Sequence, residues 1–256
     1  MADDIPGESP LFDGALPAVQ HQLSAEAVLR TFPPRAPVFQ QGEAADSLFV
    51  LRSGLVHMVL GPPTGKRVAT GLYSRRGDVL WHAPLLRGGV RFASAITLAP
   101  TELFEIKNEV VARALKAHPK IALNLVSIAE DQLMATLDWI ERQEFRELSY
   151  RIAWAAWSLA SRLGRDTAAG TELRAPVEQA DLAALAGVSR EVFNRVLKQL
   201  GPGFPVQSSR AGITVDLAAA AAIVSEGRER RRRTPPRPRP GPLSDTPDAP
   251  GDTGPA

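Results

Sequence analysis

The sequence predicts an α+β chain: a β-rich N-terminal roll, a long connecting helix, and a helical C-terminal unit closed by two short strands. Three observations carry that prediction. From about residue 21 to 107, short apolar or alternating runs are separated by Gly, Pro and Asp turns, the spacing of a β-sandwich or roll. From Lys120 to about Phe145 no Gly or Pro interrupts a helical pattern. Residues 178–200, EQADLAALAGVSREVFNRVLKQL, read as two short helices joined by a tight turn. A chain of 256 residues with 44% hydrophobic content has enough apolar material for two cores.

Each element follows in order. Residues 1–20 are polar, hold Gly and Pro and show no sustained period, so a variable or partly ordered extension is expected. Strands are expected at Val38-Phe39, SLFVLRSGLVHMVL (47–60), RVATGLY (67–73), FASAITL (92–98) and ELFEI (102–106). Asn108 can cap a helix over EVVARALKAH, and Pro119 suits the first position of a longer one. In that longer helix Val126, Leu133 and Ile140 recur every seven residues, with Ala129, Thr136 and Gln143 in the other seam position. A short coiled-coil seam and a single core helix fit this period equally. Residues 148–163 form an amphipathic helix with Trp154 and Trp157 as packing anchors, and GRDTAAGTEL follows as a loop with strand character at its end. An alanine-rich helix past Asp216 fades into an Arg/Pro-rich tail whose composition cannot build a core. The expected division is therefore 1–20 extension, 21–117 roll, 118–146 linking helix, 147–220 C-terminal unit and 221–256 disordered tail.

Composition removes several function classes. The absence of cysteine excludes disulfides, thiolate zinc sites and cysteine-ligated iron–sulfur clusters. No apolar run approaches a membrane span, and MADDIPGESP lacks the regions of a signal peptide, so a cytoplasmic protein without membrane attachment is expected. The formal net charge is +2, and residues 226–256 alone carry seven arginines against five carboxylates, so residues 1–225 are neutral overall. Any attraction of the folded part to nucleic acid must come from locally placed Arg and Lys.

Within 178–200 the first helix places Leu182, Leu185 and Ala186 at helical spacing and stops at Gly187, and Ser189 can cap the second. Projected at about 100° per residue, Arg190, Glu191, Asn194, Arg195 and Lys198 share one face, while Val192, Phe193, Val196, Leu197 and Leu200 share the other. Arginine can donate two bonds to guanine, glutamate accepts from cytosine N4, and asparagine pairs adenine, so the polar face suits major-groove reading by a helix-turn-helix. A merely solvated helix would carry the same face. The extended runs Val206–Gln207 and Ile213–Val215 around a polar turn favour the DNA reading, because they suit a wing in which Ser208, Ser209 and Arg210 meet phosphates.

Read in order, the chain resembles the Crp/Fnr family of bacterial transcription regulators. The resemblance covers about residues 30–218 and rests on QGEAADSLFVLRSG (41–54), RRGD (75–78), ASAITLAPTELFEI (93–106), the long helix after His118-Pro119, and ADLAALAGVSREVFNRVLKQL (180–200). Gly42, Gly54 and Gly77 fall where the family places turn glycines in its β-roll. The resemblance implies a cyclic-nucleotide-binding-like jelly roll, a dimerisation helix paired through Val126, Ala129, Leu133, Thr136 and Ile140, and a winged helix-turn-helix. It further implies a homodimer on double-stranded DNA, with RNA polymerase a compatible partner. Arg190, Glu191 and Arg195 match the family's base readers, so a TGTGA-like half-site is expected, with Asn194 a departure.

The predicted effector pocket departs further. Where cyclic-nucleotide-binding relatives carry Gly-Glu and Arg-Ser, this chain has Trp81-His82 and Arg91-Phe92, and Thr136 lies where a helix residue meets the purine. Losing the ribose acceptor and the hydroxyl while gaining two aromatics should fill the pocket, so conventional cyclic AMP binding is not expected. His82, with help from His57, offers haem ligation and hence a gas-sensing regulator on the same platform; no second ligand is evident, and haem is not expected. GPPTGKR (61–67) is one residue short of a phosphate loop, lacks the Ser or Thr after Lys66 and lies between strands, so it reads as a hairpin turn. No catalytic constellation emerges, and an enzyme is not expected. The competing class is a ligand-sensing module whose output is a partner protein.

Overall fold

The computed structural model describes residues 4–62, 67–80, 88–168, 170–173, 177–209 and 212–233. The roll contains β1 (Val28–Phe32), β2 (Pro37–Phe39), β3 (Ser47–Ser53), β4 (Val56–Leu60), β5 (Val68–Tyr73), β6 (Val79–Leu80), β7 (Ser94–Thr97) and β8 (Thr101–Lys107). They form two antiparallel sheets of order β1-β8-β3-β6 and β2-β7-β4-β5. Alternation along β3 explains how the first sheet is held. Phe49 and Leu51 turn inward to meet Phe39, Val56, Met58 and Leu103, while Leu48 and Val50 turn outward onto a second cluster. β1 and β6 escape the sequence reading, since β6 has two residues and β1 is an edge strand beside a Pro-Pro turn.

The outer cluster is covered by α1 (Pro17–Ala25), α2 (Asn108–Ala117) and the first turns of α3 (Pro119–Phe145). Residues 4–20 belong to it, which corrects the expected loose extension: Ile5, Leu11, Phe12 and Val19 are buried there. The Asn124 amide donates to the carbonyls of Leu11 and Asp13, each at 2.9 Å, and so fixes the short 3-10 turn at Pro10–Phe12. Asn108 is the first helical residue of α2 rather than its cap, because its amide donates to Ala45 O at 2.6 Å on the neighbouring loop.

The C-terminal unit contains α4 (Leu148–Leu163), β9 (Arg165–Thr167), β10 (Gly170–Leu173), α5 (Gln179–Ala186), α6 (Arg190–Leu200), β11 (Val206–Ser208), β12 (Ile213–Val215) and α7 (Leu217–Arg233). Its strands form one sheet of order β11-β12-β10-β9, so the wing hairpin extends a sheet begun after α4. Its core joins Ile152, Ala156 and Leu159 of α4 to Leu182 and Leu185 of α5 and Phe193 of α6, and it also takes in Leu55, Ala69 and Leu98 of the roll. Trp154 and Trp157 are only partly buried; the Arg142 guanidinium lies 4.0 Å from the Trp154 ring centroid and braces the α3–α4 corner. α7 extends well past the expected start of the tail, burying Ala220 and Val224. Gly227 allows this, since a Cβ there would stand 2.2 Å from the Tyr150 ring.

Candidate nucleic-acid interface

Local sequence builds the site. Glu178 and Asp181 form a capping box at the start of α5, with Glu178 N–H donating to Asp181 Oδ2 at 2.8 Å. Burial raises the Asp181 pKa, opposed by the Glu178 N–H and by Arg35. Gly187 ends α5 at φ 72°, where a side chain would be strained and its Cβ would run into Gln143 Oε1. Two residues later the Ser189 hydroxyl accepts from Val192 N–H at 3.3 Å and starts α6.

The apolar side of α6 packs as predicted: Phe193 is fully buried, and Val196 and Leu197 lie partly buried against the same core. Burying one such side chain contributes about 1.5–3 kcal/mol, which sets the rotation of the helix. The opposite face is thereby turned outward, with Arg190, Glu191, Arg195 and Lys198 exposed and Asn194 half-buried. The Glu191 carboxyl is held below the usual carboxylate range by its own backbone N–H, then by the Ser189 hydroxyl. In the wing, Ser208 is half-buried, and Ser209 closes the turn through its N–H to Gly212 O at 2.9 Å. Arg210 lies outside the described residues.

One residue that periodicity could not identify joins these groups. Gln179 Oε1 accepts from Arg190 Nε at 3.2 Å and from Asn194 Nδ2 at 3.0 Å, while Gln179 Nε2 donates to Ser208 Oγ at 2.6 Å. Its only sequence signal is its place at the start of the first helix. Arg35 of the roll also reaches this unit, with Nη1 3.2 Å from Asp181 and Nη2 3.4 Å from Glu178.

The exposed seam of α3 differs from the predicted one. Val126, Leu133 and Ile140 are exposed, and so are Leu137, four residues after Leu133, and Leu123, three before Val126. Ala129 and Thr136 are half-buried, and Thr136 Oγ1 donates back to Gln132 O at 2.8 Å.

The predicted effector residues are not assembled as expected. Arg91 is 2% exposed, and its Nη2 donates to Ser47 O at 2.6 Å. Its guanidinium carbon lies 4.2 Å from the Phe39 ring centroid and 5.5 Å from that of Phe49. Burial lowers the Arg91 pKa, opposed by Asp46, Glu105 and Glu43. Phe92 is 65% exposed, so it does not fill the pocket. Thr136 lines a separate cleft of about 280 Å³ with Tyr73, Gln132 and Arg162, while Arg91 lines a cavity of about 200 Å³. Trp81 and His82 lie outside the described residues. The described groups do not fit a cyclic nucleotide in the conventional way, because the one retained phosphate partner is already stacked on two rings and faced by carboxylates. His57 is buried on the β4 face opposite Val56 and Met58, away from the Arg91 cavity, which does not suit a haem ligand in the pocket. Among the described residues no cluster of three His, Asp or Glu is placed to hold a metal ion, and no helix is long and apolar enough to cross a membrane.

Residues 29–118 match the cyclic nucleotide-binding domain. The chain is 28% identical over 222 residues to the cyclic AMP receptor protein of Thermus thermophilus, covering 84% of this chain and 99% of that one. It is 24% identical over 195 residues to the CRP-like cAMP-activated global transcriptional regulator of Mycobacterium tuberculosis, covering 76% and 87%. Among solved structures it is similar in fold to the c-di-GMP responsive global regulator CLP of Xanthomonas campestris, with a TM-score of 0.67, 23% identity and coverage of 78% and 99%.

Proposed function

We propose that this chain is a transcription regulator of the Crp/Fnr type, a homodimer whose α6 reads a TGTGA-like palindrome in the major groove. The observation that carries this reading is the division of α6: Phe193 is locked in the core while Arg190, Glu191, Arg195 and Lys198 face solvent. Rigidly mounted donors and acceptors of this kind suit base edges. Ser189, Asn194, Ser208, Ser209 and Arg210 complete the interface, with the wing residues on phosphates.

The exposed seam Leu123, Val126, Leu133, Leu137 and Ile140 supports pairing of α3 with a second copy, since an apolar stripe of this length gains by leaving water. Two copies would present two reading helices to a two-fold operator. The roll matches the cyclic nucleotide-binding domain, but its described groups do not offer the conventional ligand set, so cyclic AMP bound in the usual way is not expected. The roll either senses another ligand or serves as a structural and partner-binding domain. Titration of the purified chain against a palindromic TGTGA duplex, alongside duplexes carrying single base changes, tests the DNA assignment. Discrimination of about 1–3 kcal/mol per contacted base is expected. Equal affinity for all duplexes would overturn it. Leu133→Asp should convert the dimer to a monomer in sedimentation and remove tight binding to the two-half-site duplex. A dimer that survives this change would remove α3 as the interface.

A further inference from the structure

We infer that Gln179 is a specificity-determining positioning residue, which fixes the hydrogen-bonding faces that Arg190 and Asn194 present to bases and ties them to the wing. The inference rests on the DNA-reading assignment above and adds to it a residue outside the reading helix.

The argument is one of donor and acceptor supply. Arginine carries five N–H donors, and Gln179 Oε1 takes the one on Arg190 Nε at 3.2 Å. What remains is the terminal pair on Nη1 and Nη2, the fork that matches guanine O6 and N7 end-on. An asparagine amide can be turned either way with little cost when nothing holds it. Here one hydrogen of Asn194 Nδ2 goes to the same Gln179 oxygen at 3.0 Å, which fixes the amide and leaves one N–H and the Oδ1 acceptor. That remaining pair is complementary to adenine N7 and N6.

The other end of Gln179 does separate work. Its Nε2 donates to Ser208 Oγ at 2.6 Å, so the Ser208 hydroxyl keeps its own proton for an outside acceptor such as a phosphate oxygen. Gln179 is the first residue of α5, whose rotation is set by the buried Leu182 and Leu185. Its amide is therefore mounted on a helix fixed to the core and bridges the recognition helix and the wing hairpin. Preorganised groups lose less freedom on binding, which converts positioning into discrimination.

The test selects half-sites from a randomised duplex library with the full chain and with Gln179→Met, which keeps length and removes both hydrogen-bonding ends. Gln179→Ala, a strong helix former, serves as the second variant should the first fold poorly. The expected result is local: preference at the bases opposite Arg190 and Asn194 falls about tenfold, while the guanine assigned to Arg195, which has no bond to Gln179, stays sharply selected. The slope of affinity against salt should stay within about one phosphate contact of the parent value, because no phosphate partner is removed directly. Unchanged preference at all positions, or a uniform loss with a shallower salt slope, would overturn the inference and make Gln179 a phosphate contact or a bystander. A parent chain that selects no sequence would instead overturn the base-reading assignment itself, so the two failures are distinct.

Discussion

Arg91 and Arg195 are the same side chain put to opposite uses. Arg91 lies buried over Phe39 and Phe49 with a backbone carbonyl as acceptor, whereas Arg195 stands exposed on a helix whose other side is core. A buried guanidinium has its directions fixed by the roll, so it behaves as part of the packing. An exposed one on a rigid helix keeps its donors for a partner. The location of a cation relative to a core therefore says more about its role than the motif that contains it.

The largest effect that separates the two should come from Arg91→Ala. Removing a packed side chain from between two rings is expected to cost about 2–4 kcal/mol in chemical denaturation, leaving the ratio of cognate to non-cognate DNA affinity unchanged. Unchanged stability would break the comparison. Acid should then attack the roll through its other buried base. His57 is pushed down to about 3 from an ordinary 6.5, by burial first and then by Arg67 and Arg35. The unfolded chain takes up that proton near pH 6.5 and the folded one does not. Stability from this group is thus complete above pH 6.5 and falls as pH drops toward 3, by up to about 1.4 kcal/mol per pH unit. His57→Leu should flatten that slope in denaturation series run from pH 7 to 4.

Arg195→Ala is the mirror of the first experiment: about 1–3 kcal/mol lost on the cognate duplex, with stability within about 0.5 kcal/mol of the parent. Equal loss on every duplex would show it acting as a general cation. The smallest effect belongs to Arg35→Ala, which tests the ion pairs between the roll and α5. Arg35 is partly solvated, so the loss should be no more than about 1 kcal/mol in stability, with DNA discrimination intact.

How much of this was legible in the sequence depends on the range of the interactions. The two faces of α6, its serine cap and the left-handed Gly187 are local, and all follow from spacing and residue type. Gln179 was invisible because its bonds to Arg190, Asn194 and Ser208 exist only after α5, α6 and the wing pack. The seam of α3 was half legible: the seven-residue repeat picks Val126, Leu133 and Ile140, but not whether the companion lies three or four residues on. Packing of Thr136 toward the roll decides for Leu137. Adjacency in sequence suggests one pocket for Arg91 and Phe92, but the bend at Phe92 leaves Arg91 buried and Phe92 in solvent, which residue types alone do not reveal.

The close seat of Gly227 on Tyr150 brings the end of α7 back to the α3–α4 corner instead of leaving it beside the wing. The chain has no cysteine, so a single one placed at exposed Glu226 would carry a tether or dye at that corner. Immobilisation through that position would hold the protein by the α3–α4 corner and not by the wing.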